Sequence, residues 1–141
     1  MNVDPLQTGL PQAPEAEQAI LGAVIADDEL FPQVSAVLDR DDFAAERNRR
    51  VFDAMSALYA TGAHIDLVTL VTSLGQRNHL ESVGGMTYLA SLADAVVSIM
   101  GVDAHLGIVK DKSILRRYIL GHQNLINEAL MHGDSAEILE R

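Results

Sequence analysis

The chain has 141 residues, no cysteine and a formal net charge of −10, from 20 acidic and 10 basic side chains. This length suffices for one domain with a buried core, and 48% apolar residues argue against disorder. The missing cysteines exclude thiol catalysis, cysteine-ligated zinc and disulfides, and the negative charge disfavours strong direct binding to DNA. With neither a signal peptide nor a stretch of about 20 apolar residues, we expect a soluble cytoplasmic protein that does not contact membranes.

The first part of the chain predicts a short lead-in followed by a bundle of helices. Residues 1–14 hold three of the four prolines and predict an extended segment. Helical spacing of apolar residues then predicts five helices, at Glu15 to about Asp27, Leu30 to Leu38, Glu46 to Ala60, Leu67 to about Gln76, and Met86 to Val96. Asp41 or Asp42 is expected to cap the third of these helices, Gly62 to end it, and Asp66 to cap the fourth.

The last part of the chain predicts a long arm. No proline or turn cluster interrupts residues 102–132, so a helix of about 46 Å is expected there. A turn at His132–Ser135 and a second helix at Ala136–Arg141, cut short by the chain end, would complete a helical hairpin. The predicted fold is therefore all-α, with an extended segment at 1–14, a compact helical head at 15–100 and an extended helical hairpin arm at 101–141. One apolar stripe is expected along the long helix, formed by Val102, Leu106, Val109, Leu115, Ile119, His122, Ile126 and Ala129.

The arm is too long for its own head to cover, which predicts self-association. We expect the outer part of the stripe to pack against the same arm of a second copy, with near two-fold symmetry. At about 25 cal/mol per Å² of apolar area, such a contact is worth several kcal/mol before the entropy of association is subtracted. The predicted dimerisation residues are Leu115, Ile119, His122, Ile126 and Ala129.

Motifs that carry catalysis are missing from the sequence. No phosphate-binding loop, dinucleotide fingerprint, zinc-protease motif or nucleophile elbow is present, and the five histidines lack metal-ligand spacing. The acidic clusters at 27–29 and 39–42 lie at predicted helix ends, where caps are expected more often than a catalytic pair. We therefore predict no catalytic, cofactor-binding or metal-binding residue, and keep an enzyme acting through the acidic clusters as a minor alternative.

One basic patch lies on the long helix, at Lys110, Lys112, Arg116 and Arg117. A solvated helix face is the simpler interpretation. The functional alternative is an electrostatic contact to an acidic neighbour, such as the head of another copy.

Five blocks of sequence, in order, resemble the N-terminal domain of the replicative DNA helicase (DnaB) family. Together they cover most of residues 11–117, and the ordered set is more specific than any one block. The usual entry to the family's hairpin differs here, with Gly107 at a position where a stronger helix former is expected. The blocks are Pro11-Gln12 with Glu15–Ala23, Asp42-Phe43 with Arg49–Phe52, Gly62–Leu70, Val83–Leu89, and Ile108–Arg117.

The resemblance implies a partner-binding domain without a motor. In that family, an all-helical head and a helical hairpin form dimers, and three dimers build the collar of a hexameric ring that docks the C-terminal domain of primase. A helicase loader is a further candidate partner. ATP and magnesium would belong to a separate motor domain, so this chain is expected to bind neither and to have no enzyme activity. Carried over from the matched blocks, the primase contacts are expected at surface positions, namely Glu15, Tyr88 and the exposed arm around Ile119 and Leu130. For Tyr88, a partly buried tyrosine of the core is the alternative.

A different class of protein fits the same residues. A helical adaptor with a dimerising arm, unrelated to replication, would show the same head and stripe. A motor domain with a phosphate-binding loop after Arg141 in the parent gene would distinguish the helicase from the adaptor.

Overall fold

The computed structural model describes residues 9–95 and 101–132. Within these ranges every regular element is helical, which confirms the predicted all-α fold. The α-helices are α1 Pro14–Ala26, α2 Phe31–Val37, α3 Glu46–Ala60, α4 Leu67–Gln76, α5 Gly85–Asp94 and α6 Val102–His132, and two 3₁₀ helices span Asp28–Leu30 and Arg40–Asp42.

Helix α1 is the centre of the head. It packs against α3, α5 and α6, which explains why its sequence is apolar on nearly all sides. Ile20, Leu21 and Val24 are fully buried in the core. Gly22 lets α5 approach closely, because a Cβ added there would lie 2.2 Å from the carbonyl oxygen of Leu92. The position therefore needs glycine for packing and not for its backbone freedom.

Local capping signals predicted the ends of α3 and α4. Gly62 ends α3 in the left-handed conformation, with φ +76°. Asp66 caps α4 by accepting a 2.9 Å hydrogen bond from the Thr69 N–H, while the Thr69 hydroxyl oxygen accepts one from the Asp66 N–H. The predicted bounds of α3, α4 and α6 are confirmed. Helix α5 ends at Asp94, before the predicted Val96, which lies outside the described residues.

Helix α6 leaves the head halfway along its length. Val102, Leu106 and Val109 are buried against the head, and Ser113 and Arg116 continue the same row. The head therefore includes the first half of α6. None of the described side chains from 118 to 131 is buried. The predicted turn at His132–Ser135 and second arm helix at Ala136–Arg141 lie outside the described residues, apart from the end of α6 at His132.

The single apolar stripe predicted along α6 is wrong. From Val109 to Leu115 the helix advances six residues, which turns the side chain by about 120° around the axis. The predicted stripe therefore changes face, because its first three members face the head and Leu115 lies on the outer side. Leu115 is 46% exposed, whereas Val109 is 1% exposed.

Candidate partner-binding surfaces

The outer half of α6 carries an apolar surface that the head does not cover. Of the thirteen large hydrophobic side chains that are exposed among the described residues, nine lie on α6. The residues predicted for dimerisation are all at least partly exposed and follow each other at spacings of four, three, four and three residues. This is the spacing of the contact positions of a coiled coil. We call this set the arm surface, and it consists of Leu115, Ile119, His122, Ile126 and Ala129.

His122 lies in the middle of the arm surface and is held by its own helix. Its ring lies 4.2 Å from the ring of Tyr118, centroid to centroid. Its Nδ1 lies 2.9 Å from the Tyr118 carbonyl oxygen. Because a carbonyl oxygen only accepts, the proton of this hydrogen bond belongs to Nδ1. The ring is thus oriented by a local contact and leaves the outer side of the helix free for a partner.

Most of the basic patch of α6 binds the head of its own chain and is therefore not available to another copy. Asp42 is completely buried, and its carboxylate accepts hydrogen bonds from Ser113 Oγ at 2.6 Å and Arg117 Nη2 at 2.8 Å. Lys110 Nζ lies 3.3 Å from the same carboxylate. Arg116 donates to the Asp42 carbonyl oxygen at 2.7 Å and to that of Pro11 at 2.9 Å. The acidic neighbour predicted for this patch is therefore Asp42 of the same chain.

These contacts also change the acidity of Asp42. Burial raises the pKa of this carboxyl, but hydrogen bonds from Ser113, the Asp39 N–H and Lys110 outweigh burial, so the net pKa is lowered. The expectation that Asp41 or Asp42 caps α3 is wrong. Asp42 accepts a 2.7 Å hydrogen bond from the N–H of Asp39, the residue before its own 3₁₀ helix, and its carboxylate also faces α6.

The chain just before α3 is held in place by a side chain of α1 instead. The carboxylate of Glu17, which is 1% exposed, accepts hydrogen bonds from the Ala44 N–H at 2.9 Å and from Asn48 Nδ2 at 3.0 Å. The Ala45 N–H lies 3.5 Å from the same carboxylate. A negative group at a helix N-terminus is stabilised by the unpaired N–H groups there. Nothing local in the sequence indicates this role of Glu17, because its partner Ala44 lies 27 residues further along the chain.

Tyr88 belongs to this buried network, so the expectation that it lies at the surface is wrong. Its side chain is buried in the head, and its hydroxyl donates to Asn48 Oδ1. The Arg47 guanidinium lies over the ring, 4.0 Å from its centroid. Burial raises the pKa of the Tyr88 hydroxyl. Tyr88 therefore supports the surface beneath Arg47 and offers little of its own area to a partner.

The other two predicted primase contacts, Glu15 and Leu130, are exposed. Leu130 is 80% exposed near the far end of α6. Glu15 lines a shallow concavity of about 370 Å³ together with His105 and Ile108 of α6. Ile108 is seven residues before Leu115 and lies on the same side of the helix. Glu15 and Leu130 therefore lie near opposite ends of one outward strip of α6, about 33 Å apart along the helix axis.

The acidic residues at 27–29 make structural hydrogen bonds. Asp28 accepts hydrogen bonds from the Ile65 N–H at 3.0 Å and from His64 Nδ1 at 3.1 Å, and these lower the pKa of its carboxyl. Asp27 caps the 3₁₀ helix that follows it by binding the Glu29 N–H. Among residues 9–95 and 101–132, no group of three or more histidines and carboxylates is placed to hold a metal ion. No helix in those ranges is long and apolar enough to span a membrane.

The head, its central helix and the long arm define an all-helical domain of one known family. The chain belongs to the family of DnaB-like helicase N-terminal domains, whose family model matches residues 9–111. It is 36% identical over 129 residues to the replicative DNA helicase DnaB of Geobacillus stearothermophilus, an alignment that covers 92% of this chain and 28% of that relative. The chain thus spans about a quarter of the length of this full-length relative.

Solved structures share the fold. The N-terminal domain of DnaB helicase from Mycobacterium tuberculosis matches with a TM-score of 0.88 and 29% identity, over 94% of each chain. The N-terminal domain of DnaB helicase from Helicobacter pylori, described together with its interactions with primase, matches with a TM-score of 0.70 and 21% identity. That alignment covers 92% of this chain and all of the other, and at this identity it supports the fold alone.

Proposed function

We propose that this chain is the collar domain of a replicative DNA helicase and acts through protein–protein contacts. In this proposal the arm surface packs against that of a second copy, and three such dimers form the collar of a hexameric ring. DNA unwinding, with its ATP and magnesium, belongs to a separate motor domain. The observation that carries the proposal is the outer half of α6, where apolar side chains at coiled-coil spacing project from the head with no covering contact among the described residues.

The proposed primase contact uses the outward side of α6 from Ile108 to Leu130, which we call the exposed strip, together with Glu15 of α1 beside Ile108. The chain belongs to the family of DnaB-like helicase N-terminal domains, and one such domain, from Helicobacter pylori, is described with its interactions with primase, so primase is the partner to test. Glu15 offers a carboxylate at one end of the strip, and Leu130 an apolar side chain at the other. Since Ile119 lies between them and belongs to the arm surface, a second copy and primase cannot both cover it completely. A helicase loader is a further partner that the same exposed strip accommodates.

Self-association is tested by sedimentation equilibrium over a wide range of chain concentrations. Ile119→Asp should shift the chain towards monomer, because it places a charge in an apolar contact. Val68→Asp is the matched control, since Val68 is 73% exposed on α4 of the head and the same change there leaves the arm intact. A wild-type chain that stays monomeric at the highest concentration, or an Ile119→Asp variant with the wild-type mass, contradicts the dimer.

Primase docking is tested by capture of a primase C-terminal domain on the immobilised chain. Glu15→Ala and Leu130→Ala should each reduce capture, whereas Val68→Ala should not. Undiminished capture by both variants would remove the strip as the docking site. The adaptor alternative predicts no capture of primase by any variant.

A further inference from the structure

One residue of the head gathers four side chains of α6. Lys110, Ser113 and Arg117 reach the carboxylate of Asp42, and Arg116 reaches its carbonyl oxygen. The four α6 residues follow at spacings of three, three and one, so they lie along one side of the helix. Arg116 also donates to Pro11, which ties the segment before α1 to the same point. We call these six residues the Asp42 junction.

The junction lies where the arm leaves the head. On its N-terminal side, Val102, Leu106 and Val109 are buried in the core. On its C-terminal side, every described side chain from 118 to 131 is at least partly exposed. The junction is therefore the outermost buried contact between α6 and the head.

The two kinds of contact constrain α6 differently. Apolar packing is non-directional and tolerates small rotations of a helix. Hydrogen bonds to a charged, buried carboxylate weaken steeply when their geometry changes. From Ser113 to Met131 the helix extends about 27 Å, so a tilt of about 10° at the junction would move the tip by about 5 Å. This sideways shift is about half of the distance of 8–10 Å that separates packed helix axes, enough to misalign the arm surface with a partner.

We propose that the Asp42 junction is a positioning device that sets the angle at which the arm leaves the head. The consequence for pairing of arm surfaces rests on the proposed function, whereas the angle itself is a property of one chain. Asp42 and its partners thus determine the direction in which the arm surface is presented, although none of them belongs to that surface.

The angle is measurable because the natural chain contains no cysteine. Val68→Cys on α4 and Met131→Cys near the end of α6 place two spin labels at positions that are 73% and 80% exposed. Dipolar electron paramagnetic resonance then gives the distance between head and arm tip. Dilution with an excess of unlabelled chain restricts the signal to pairs within one molecule.

Asp42→Asn is the decisive variant, and Asp41→Asn is its matched control. Both remove one negative charge, but Asp41 is exposed and its carboxylate pairs with Arg40 of the same 3₁₀ helix. We expect Asp42→Asn to broaden the distance distribution or shift its mean by about 5 Å, and Asp41→Asn to keep the wild-type distribution. Circular dichroism confirms that each variant remains helical.

Wild-type distances in a helical Asp42→Asn variant, or equal broadening in both variants, would overturn the proposal. If Asp42→Asn does not fold, the same distance is measured in Ser113→Ala and Arg117→Gln. Each of these variants removes one contact to Asp42 and leaves the carboxylate paired with its other partners. Unchanged distances in both of these variants then overturn it. Sedimentation of the same samples separates the two proposals, since a monomeric wild type contradicts the dimer without affecting the measured angle.

Discussion

The carboxylate of Glu17 accepts a 3.0 Å hydrogen bond from the side-chain amide of Asn48, 31 residues further along the chain. Both residues are buried, and the same carboxylate accepts a hydrogen bond from the N–H of Ala44, two residues before α3. One acid on the central helix thus fixes the start of a second helix, and through Asn48 it orients the hydroxyl of Tyr88. The head is held together by this polar network as well as by its apolar core.

Glu17→Gln should lower the free energy of unfolding by about 1–3 kcal/mol, because it removes a buried charged acceptor and leaves donors of α3 without a full partner. Urea denaturation measures this change. Glu15→Gln, two residues earlier on the exposed side of α1, is the control and should stay within about 0.5 kcal/mol of the wild type. Equal stability of the two variants would contradict the role of Glu17 in holding the start of α3.

Tyr88→Phe should lower the free energy of unfolding by about 1–3 kcal/mol, because Asn48 Oδ1 loses its donor in a buried site. The ring remains beneath Arg47, so the surface above it should be kept. We therefore expect folded Tyr88→Phe to capture primase as well as the wild type does. Binding that fails in a fully folded Tyr88→Phe variant would instead support direct contact by the hydroxyl.

Two glycines should respond oppositely to alanine. Gly22→Ala should destabilise the head by about 1–3 kcal/mol, because the new Cβ would overlap the backbone of α5 at Leu92. Gly107→Ala should stabilise the chain by up to about 1 kcal/mol, because α6 gains a better helix former with no atom within 4 Å of the new Cβ. Thermal unfolding followed by circular dichroism gives both signs, and a stabilising Gly22→Ala would refute the close approach of α1 and α5.

The pH dependence of stability should report Asp42. Its pKa is lowered in the folded chain, whereas the unfolded chain binds the proton near the ordinary value of about 3.9. The resulting stabilisation is present above about pH 4 and is lost as the pH falls through the lower folded pKa. Urea denaturation between about pH 6 and pH 2 should therefore show a shallower acid loss for Asp42→Asn than for the wild type. An identical slope for the two chains would show that Asp42 contributes nothing to this dependence.

The predicted helices depended on signals contained within a few residues. Pro14 and Glu15 mark the start of α1, Gly62 ends α3, and Asp66 pairs with Thr69 at the start of α4. The long α6 followed from an uninterrupted run without proline. Such signals act through neighbouring backbone groups, so they are readable without knowledge of the rest of the fold.

The errors concern residues whose partners are distant in the chain. Asp42 was expected to cap a neighbouring helix, but it binds Ser113, 71 residues away. Tyr88 was expected at the surface, but Asn48 and Arg47 enclose it. No local pattern distinguishes a first-turn acid from a buried acceptor, because that difference depends on which elements pack together.

Sequence alone therefore determined that this chain is an all-helical head with a long arm, since helix periodicity, caps and breakers act over one or two turns. Only the tertiary structure decided which side of α6 faces the head and which remains open, because that choice depends on where α1 and the buried Asp42 meet the helix. Leu115 follows Val109 by six residues, and this spacing turns its side chain by about 120° around the helix axis, away from the core. That rotation leaves the arm surface available to a second molecule.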